Sequence, residues 1–551
     1  MQSFVRILHL ALVSTSLLSS ALGQQYWVRF SDKGPQTPTA QVLPEAVQGV
    51  LTDRALARRQ RNHIVLTPAD LPVAAHYLAG IAPHIGSLRA TSRWLNAAWV
   101  VGADVLALQR LPYVQAVYPV PMQGAGTHVA GIAGCRAIPA AQAGSMQREH
   151  DYTRLSSLHA AGHTGCGVLV AVFDSGFRAA NTNPAYDSLF MQDRIIATQD
   201  FVADEADVYE DDNHGSDVLS RMAALLPNQY VGSAPHVQLA LARTEDVASE
   251  TPAELMNWLL AAEWADALGA DIISSSLGYN DFDGTADELT LGDLDGEHSL
   301  IARAVDMAAA RGILVVSSAG NEGNLPSWGR ITTPCDADSV LCVGATNFTT
   351  AQIAGFSGRG PTADGRLKPE LSVMGQAVPY INTLGAQTSG SGTSFAAPYV
   401  AGMAACLLQA APTATGWQLR QALIQAADRT ANPDNAYGHG SPNMQLALSW
   451  LQSCVALGNC TPTDRRAAAE PLLASVGPNP STGSLRVQLA KPGPASWQLH
   501  SLQGQLLAQG QWQGAGIQLL SMALQTPGIY LLRLAQGGQL QHIRLVLQPA
   551  G

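Results

Sequence analysis

Unbroken apolar runs at 168–173, 237–242, 272–275, 313–317 and 340–344 alternate with stretches of helical periodicity at 252–268, 299–310, 394–408 and 417–427. A run with no polar face belongs to a strand buried on both sides. Alternation of such strands with helices therefore predicts an α/β fold, a doubly wound parallel sheet with helices on both faces. In open sheets of this class, sites form at the carboxyl ends of strands. Ahead of this region, short strands at 26–30, 94–101 and 113–120 and a helix-like stretch at 104–111 predict a small α+β module over 24–121. A Gly-, Ala- and Gln-rich linker at 122–149 separates it from the α/β module at 150–455. After a polar linker at 456–470, strands at 485–489, 496–501, 518–521, 529–534 and 541–547 alternate with turns such as Pro527-Gly528. That spacing predicts a small all-β sandwich over 471–551.

The first residues follow a different pattern: Arg6, an apolar run at 7–18, and Ala21-Leu22-Gly23. A basic start, a short apolar stretch and small residues at a cleavage site predict a secretory signal peptide at 1–23. The run is shorter than the roughly 18–20 apolar residues needed to span a bilayer.

At 551 residues, with 47% hydrophobic and 13% charged positions, the chain is too long for one core and too apolar for extended disorder. The formal charge of −11 is unevenly spread. Residues 24–121 carry nine basic against five acidic side chains, 122–470 carry 17 against 37, and 471–551 carry four against none. An acidic centre excludes nucleic acid as a partner, because such binding depends on Lys and Arg neutralising phosphates. The seven cysteines suit an exported chain, with Cys335/Cys342 and Cys454/Cys460 spaced for short disulfide loops, and no CxxC pair marks a metal or redox site. Cys406, in an apolar helical stretch, reads as a small core residue.

Three polar motifs interrupt the α/β region. Asp174-Ser175-Gly176 follows the strand at 168–173, so the carboxylate emerges at a strand's carboxyl end, although a turn aspartate also fits that place. His214-Gly215-Ser216 opens an amphipathic helix. Gly390-Ser391-Gly392-Thr393-Ser394-Phe395-Ala396-Ala397-Pro398 leads into another, with Ser394 at the helix N-terminus. There, free N–H groups and the helix dipole favour a negative oxygen, while a serine that merely caps the helix is the simpler alternative. Together Asp174, His214 and Ser394 supply an orienting carboxylate, a general base and a nucleophile.

In this order the motifs resemble those of the subtilases, the subtilisin-like serine peptidases. The resemblance implies an exported serine endopeptidase acting on proteins or peptides through an acyl-enzyme. Ser318-Ala319-Gly320-Asn321 resembles the family segment whose Asn amide completes the oxyanion hole, together with the Ser394 N–H. Ser275-Ser276-Leu277-Gly278 resembles the strand lining the substrate cleft, which Ser318, Ala319 and Gly320 border as well. Tyr437-Gly438-His439-Gly440 resembles the end of the catalytic domain. One departure stands beside His214, where Asp217 replaces the family's second, non-catalytic histidine. The family's usual continuation appears instead out of place, as Gly126-Thr127-His128-Val129-Ala130-Gly131, with Ala125 at the catalytic position; His128 therefore reads as linker.

Residues 24–121 resemble the inhibitory propeptide of secreted subtilases, and their net positive charge suits docking on the acidic module. Residues 471–551 resemble the C-terminal sorting domain of bacterial type IX secretion, through Gly477-Pro478-Asn479-Pro480, Ser501-Leu502-Gln503-Gly504 and Pro527-Gly528-Ile529-Tyr530. That resemblance implies the type IX machinery as a partner. No cofactor is required by this chemistry and no metal ligand is assigned. A structural calcium is a family feature for which the acidic stretches 204–212 and 281–297 are candidates, a solvated acidic loop being the plainer reading. Two rival readings remain: a catalytically silent subtilase fold serving as a binding module, and an α/β-hydrolase using Ser394, Asp434 and His439, whose nucleophile elbow lacks its second glycine.

Overall fold

The computed structural model describes residues 25–34, 42–120, 128–129, 137–284 and 288–457, and, further on, 473–477, 484–489, 494–501, 506–512, 517–521, 528–536 and 539–547. The expected signal peptide lies outside these residues. The chain divides into two compact units, Met1–Asn459 and Cys460–Gly551.

The first unit opens with an α+β module: β1 (Gln25–Phe30), α1 (Asp53–Arg61), α2 (Ala75–Ile81), β2 (Ile85–Ser92), β3 (Ala97–Ala103), α3 (Val105–Gln109) and β4 (Val114–Val120). Its four antiparallel strands run in the order β2-β3-β1-β4. Side chains alternate across a strand, and here both faces are covered. Val28, Phe30, Ala98 and Val100 pack with Tyr77, Ile81 and Leu108. Trp27 and Trp99 point the other way, into a core shared with the α/β module.

That module is built on a nine-stranded sheet in the order β15-β14-β13-β12-β11-β6-β10-β7-β5. The inner strands are β6 (Leu169–Asp174), β7 (Ile195–Asp200), β10 (Gln238–Arg243), β11 (Ile272–Ser275), β12 (Leu314–Ser318), β13 (Leu341–Asn347) and β14 (Leu371–Ile381), all parallel. The edges, β5 (His128–Val129) and β15 (Gln387–Ser391), run antiparallel. A small hairpin, β8 (Leu225–Leu226) and β9 (Tyr230–Val231), stands apart from the sheet. The helices are α4 (Gln147–Tyr152), α5 (Leu155–Ala160), α6 (Asp187–Met191), α7 (His214–Ala223), α8 (Ala253–Leu268), α9 (Leu300–Ala309), α10 (Thr393–Ala410), α11 (Gly416–Gln425) and α12 (Met444–Leu457).

Burial on both faces explains the unbroken apolar strands. Val170 and Val172 of β6 pack with α7, α10 and α11. Leu169, Ala171 and Phe173 pack with α8 and α9. Residues 137–149, expected as linker, belong instead to this body: Ile138 N–H donates to His159, Ser145 N–H donates to Gln229, and Glu149 forms a wholly buried pair with Arg221 of α7. His128, also read as linker, lies on the edge strand β5, where its backbone is paired with Thr198.

Cys335 and Cys342 form the expected disulfide, Cys166 and Cys454 are also disulfide-bonded, and Cys406 is a buried free thiol. The second unit holds two antiparallel sheets, β16 (Leu473–Gly477), β17 (Ser484–Leu489) and β20 (Ile517–Ser521) in one, and β18 (Ala495–Ser501), β19 (Leu506–Trp512), β21 (Gly528–Gln536) and β22 (Gln539–Leu547) in the other.

Candidate active site

Asp174 is the last residue of β6, fully buried at the carboxyl end of a central strand. Ser175 N–H donates to its Oδ1 at 2.9 Å, and the same oxygen lies 2.7 Å from His214 Nδ1. With Nδ1 committed to the carboxylate, Nε2 is the nitrogen left to exchange protons. His214 is the first residue of α7, and the adjoining glycine is a steric requirement: a Cβ at Gly215 would lie 2.3 Å from the Gly176 carbonyl and 2.9 Å from Asp174 Cβ. Asp212 fixes the same corner, its Oδ2 accepting from His214 N–H at 3.0 Å and from the Ser175 hydroxyl at 2.8 Å. The sequence motif gave no role to Asp212. Burial disfavours a charged imidazole, but the charge and hydrogen bond of Asp174, followed by the charges of Asp212 and Asp217, outweigh it and raise His214 to about 9.

Ser394 is the second residue of α10, whose first sixteen residues are buried. Gly392 allows the tight approach, since a Cβ there would lie 2.8 Å from Ser394 Oγ. Pro398 sits four residues on and has no N–H to offer the Ser394 carbonyl. The Ser276 hydroxyl fills that gap, donating to the Ser394 carbonyl at 2.9 Å. Ser276, expected to bind substrate, thus spends its side chain on holding the head of α10. Helix α7 is tied to the same head by Arg221, whose Nε donates to the Phe395 carbonyl. Among the described residues, no hydrogen bond joins Ser394 Oγ to His214; such contacts are often long before substrate arrives.

Asn321 follows β12, exposed, in the Gly320-Asn321 turn. Its Oδ1 accepts from Thr393 N–H at 2.9 Å and lies 3.1 Å from the Thr393 hydroxyl, which fixes the amide with its NH₂ as the free end. Leu277 is half-buried and Gly278 exposed. Ser275 is fully buried, its hydroxyl accepting from the Trp258 indole, so its side chain faces α8 rather than any cleft. Ser318 and Ala319 are also buried, Ser318 donating to the Leu277 carbonyl, and the Ala319 backbone is paired within the fold, its N–H donating to Val343 and its carbonyl accepting from Thr332 N–H.

Residues 165–440 match the sequence model of the subtilase family. The chain belongs to the subtilase family. Residues 25–128 match that of the peptidase S8 propeptide domain of Bacteroidota, so the α+β module of this subtilase is its propeptide, and the match ends on His128. Subtilisin E of Bacillus subtilis is 34% identical over 296 residues, 53% of this chain and 68% of its own. Subtilisin of Bacillus pumilus is 33% identical over the same length, 94% of its own. Serine protease AprX of Bacillus subtilis is 32% identical over 317 residues, 52% of this chain and 67% of its own. As a subtilase with relatives of this kind, the chain is a serine endopeptidase. The α/β-hydrolase reading falls with that, and the geometry agrees: Asp434 accepts from the N–H groups of its own turn, at Ala436 and Tyr437, while His439 Nδ1 has no hydrogen-bond partner among the described residues.

Among the described residues no group of three or more His, Cys, Asp or Glu is arranged to hold a metal ion. The acidic stretch at 204–212 is engaged otherwise: Asp207 accepts from Tyr209 N–H, and Asp211 pairs with Arg243. It does not fit a calcium site.

Proposed function

We propose that Asp174, His214 and Ser394 form the catalytic triad of this endopeptidase. The observation that carries the reading is the 2.7 Å contact between Asp174 and His214 Nδ1, which leaves Nε2 for the serine at the head of the adjoining α10. His214 Nε2 takes the Ser394 hydroxyl proton as Oγ attacks the scissile carbonyl carbon, and the carbonyl π pair moves onto oxygen. The Ser394 N–H and the Asn321 NH₂ donate to that oxyanion. The imidazolium then gives its proton to the leaving amine, and water releases the acyl group through the same base. Leu277 and Gly278 line the cleft for an extended peptide, bordered by Ser318, Ala319 and Gly320, of which Ser318 is tied to the Leu277 carbonyl.

The propeptide at 25–128 inhibits the folded enzyme until it is removed. Signal peptide 1–23 takes the chain across the inner membrane. The C-terminal all-β unit is a type IX sorting domain that directs it across the outer one, a reading supported by the Gly477-Pro478-Asn479-Pro480 and Pro527-Gly528-Ile529-Tyr530 motifs. Purified protein is expected to hydrolyse denatured casein, and both a serine-reactive inhibitor and Ser394→Ala should abolish this without unfolding the protein. Hydrolysis persisting in the variant overturns the triad. A folded wild-type protein without its propeptide that never cleaves casein favours the silent binding module.

A further inference from the structure

Asp217 lies one helical turn beyond His214 on α7, where side chains three positions apart are neighbours. It is buried, with 8% of its surface exposed. Its Oδ2 accepts from the Asn213 side-chain amide at 2.9 Å, while Oδ1, equally buried, has no hydrogen-bond partner. Such a carboxylate is a poor structural element, because desolvation of an unpaired oxygen costs more than one neutral hydrogen bond returns. Burial accordingly pushes Asp217 up to about 6, with the Asn213 hydrogen bond and the His214 charge pulling it back. A neutral isostere would serve the fold better at every pH above that.

The groups acting on Asp217 come from each element around it. His214 shares its helix, Asp212 precedes that helix, and Asp174 ends β6. Tyr380 of β14 and Tyr186, from the turn before α6, are neutral phenols that burial raises first and the Asp217 charge raises further. Of these groups only His214 becomes cationic, and it does so each time it accepts the serine proton.

We propose that Asp217 is a positioning residue for the peptidase reaction, a second carboxylate that stabilises the imidazolium of His214 alongside Asp174 at the expense of fold stability. The inference rests on His214 being the general base. It predicts opposite signs for two measurements on one variant. In Asp217→Asn the acid limb of kcat/KM against pH should move to lower pH by about half a unit or more, because a negative charge one helical turn from the imidazole is gone. The same variant should melt higher than wild type at pH 8. The sign follows from linkage: a carboxyl raised in the folded state costs stability where it is ionised, above about pH 6, and nothing well below its unfolded value. Asp217→Glu, which keeps the charge, should hold the limb near its wild-type position. The experiment is a pH series of peptide hydrolysis and thermal unfolding on the mature enzyme and both variants, with His214→Ala as control. An unmoved limb with a lowered melting point makes Asp217 structural and overturns the proposal. Undiminished activity in His214→Ala overturns the triad instead, and the two failures are thereby separate.

Discussion

Asn321 shows how one contact gives an exposed side chain a direction. With Oδ1 held by Thr393 N–H and close to the Thr393 hydroxyl, only the NH₂ remains to meet a substrate oxygen. Asn321→Ala should therefore lower kcat by roughly 10²- to 10³-fold, the loss that removing one such donor causes in subtilisin. KM should change little, since the donor acts mainly on the charge that develops during attack. A steady-state series on one peptide substrate checks this, and a fall of less than about threefold in kcat would count against the oxyanion role. The motif named Asn321, but the clamp that aims it was not legible, because Thr393 and Asn321 are 72 positions apart. Ser276 is similar: the sequence placed it at the cleft, and only the missing N–H of Pro398 explains why its hydroxyl is needed beneath Ser394.

Helix α1 of the propeptide meets the carboxyl end of α8 through charge. Arg58 donates to the carbonyls of Asp266 and Ala270, and Arg54 to that of Gly269, so guanidinium groups cap the negative end of the α8 dipole. Arg58, Arg59 and Arg93 also converge on the buried carboxylate of Asp266. Against the burial penalty, their charges hold Asp266 well below the usual carboxylate range. Removing one member of such a buried cluster leaves the others uncompensated, typically about 3–5 kcal/mol. Asp266→Asn should thus weaken inhibition by added propeptide by about 100-fold or more while leaving catalytic turnover in place; an unchanged inhibition constant would dismiss the interface. Because the Asp266 pKa is lowered, its contribution is full at neutral pH and is lost only as pH falls into the acid range below its unfolded value.

The net positive charge of 24–121 anticipated this docking, but not helix α1 or strand β2, whose polar residues hide their periodicity, nor α2, which at seven residues is too short to show one. The same holds in the sheet. Strands β6, β10, β11, β12 and β13 were legible as unbroken apolar runs, whereas β14 was not, since Gly375, Gln376 and Pro379 interrupt it. Strand β15 carries Gln387, Thr388, Ser389, Gly390 and Ser391, and its place at the sheet edge removes the need for apolar residues.

At the scale of the whole chain, the −20 balance falls before the division after Asn459, since 460–470 carry two acidic against two basic residues, and the acid-free 471–551 lies beyond it. Asp174, Asp212, His214, Asp217, Asn321 and Ser394 all belong to the first unit. Deleting 471–551 should leave peptidase activity almost unchanged, and in a host with type IX export it should trap the enzyme in the periplasm. Full secretion of the truncated enzyme would instead make this unit a stabilising or substrate-binding module. The central claim is that Ser394 is activated by His214 at the carboxyl end of β6. Its most direct test is to treat the mature enzyme with a fluorophosphonate and locate the adduct by peptide mass spectrometry. One adduct is expected, on Ser394, formed at a rate that collapses in His214→Ala; an adduct on another residue, or labelling of Ser394 that ignores His214, would rule out this activation.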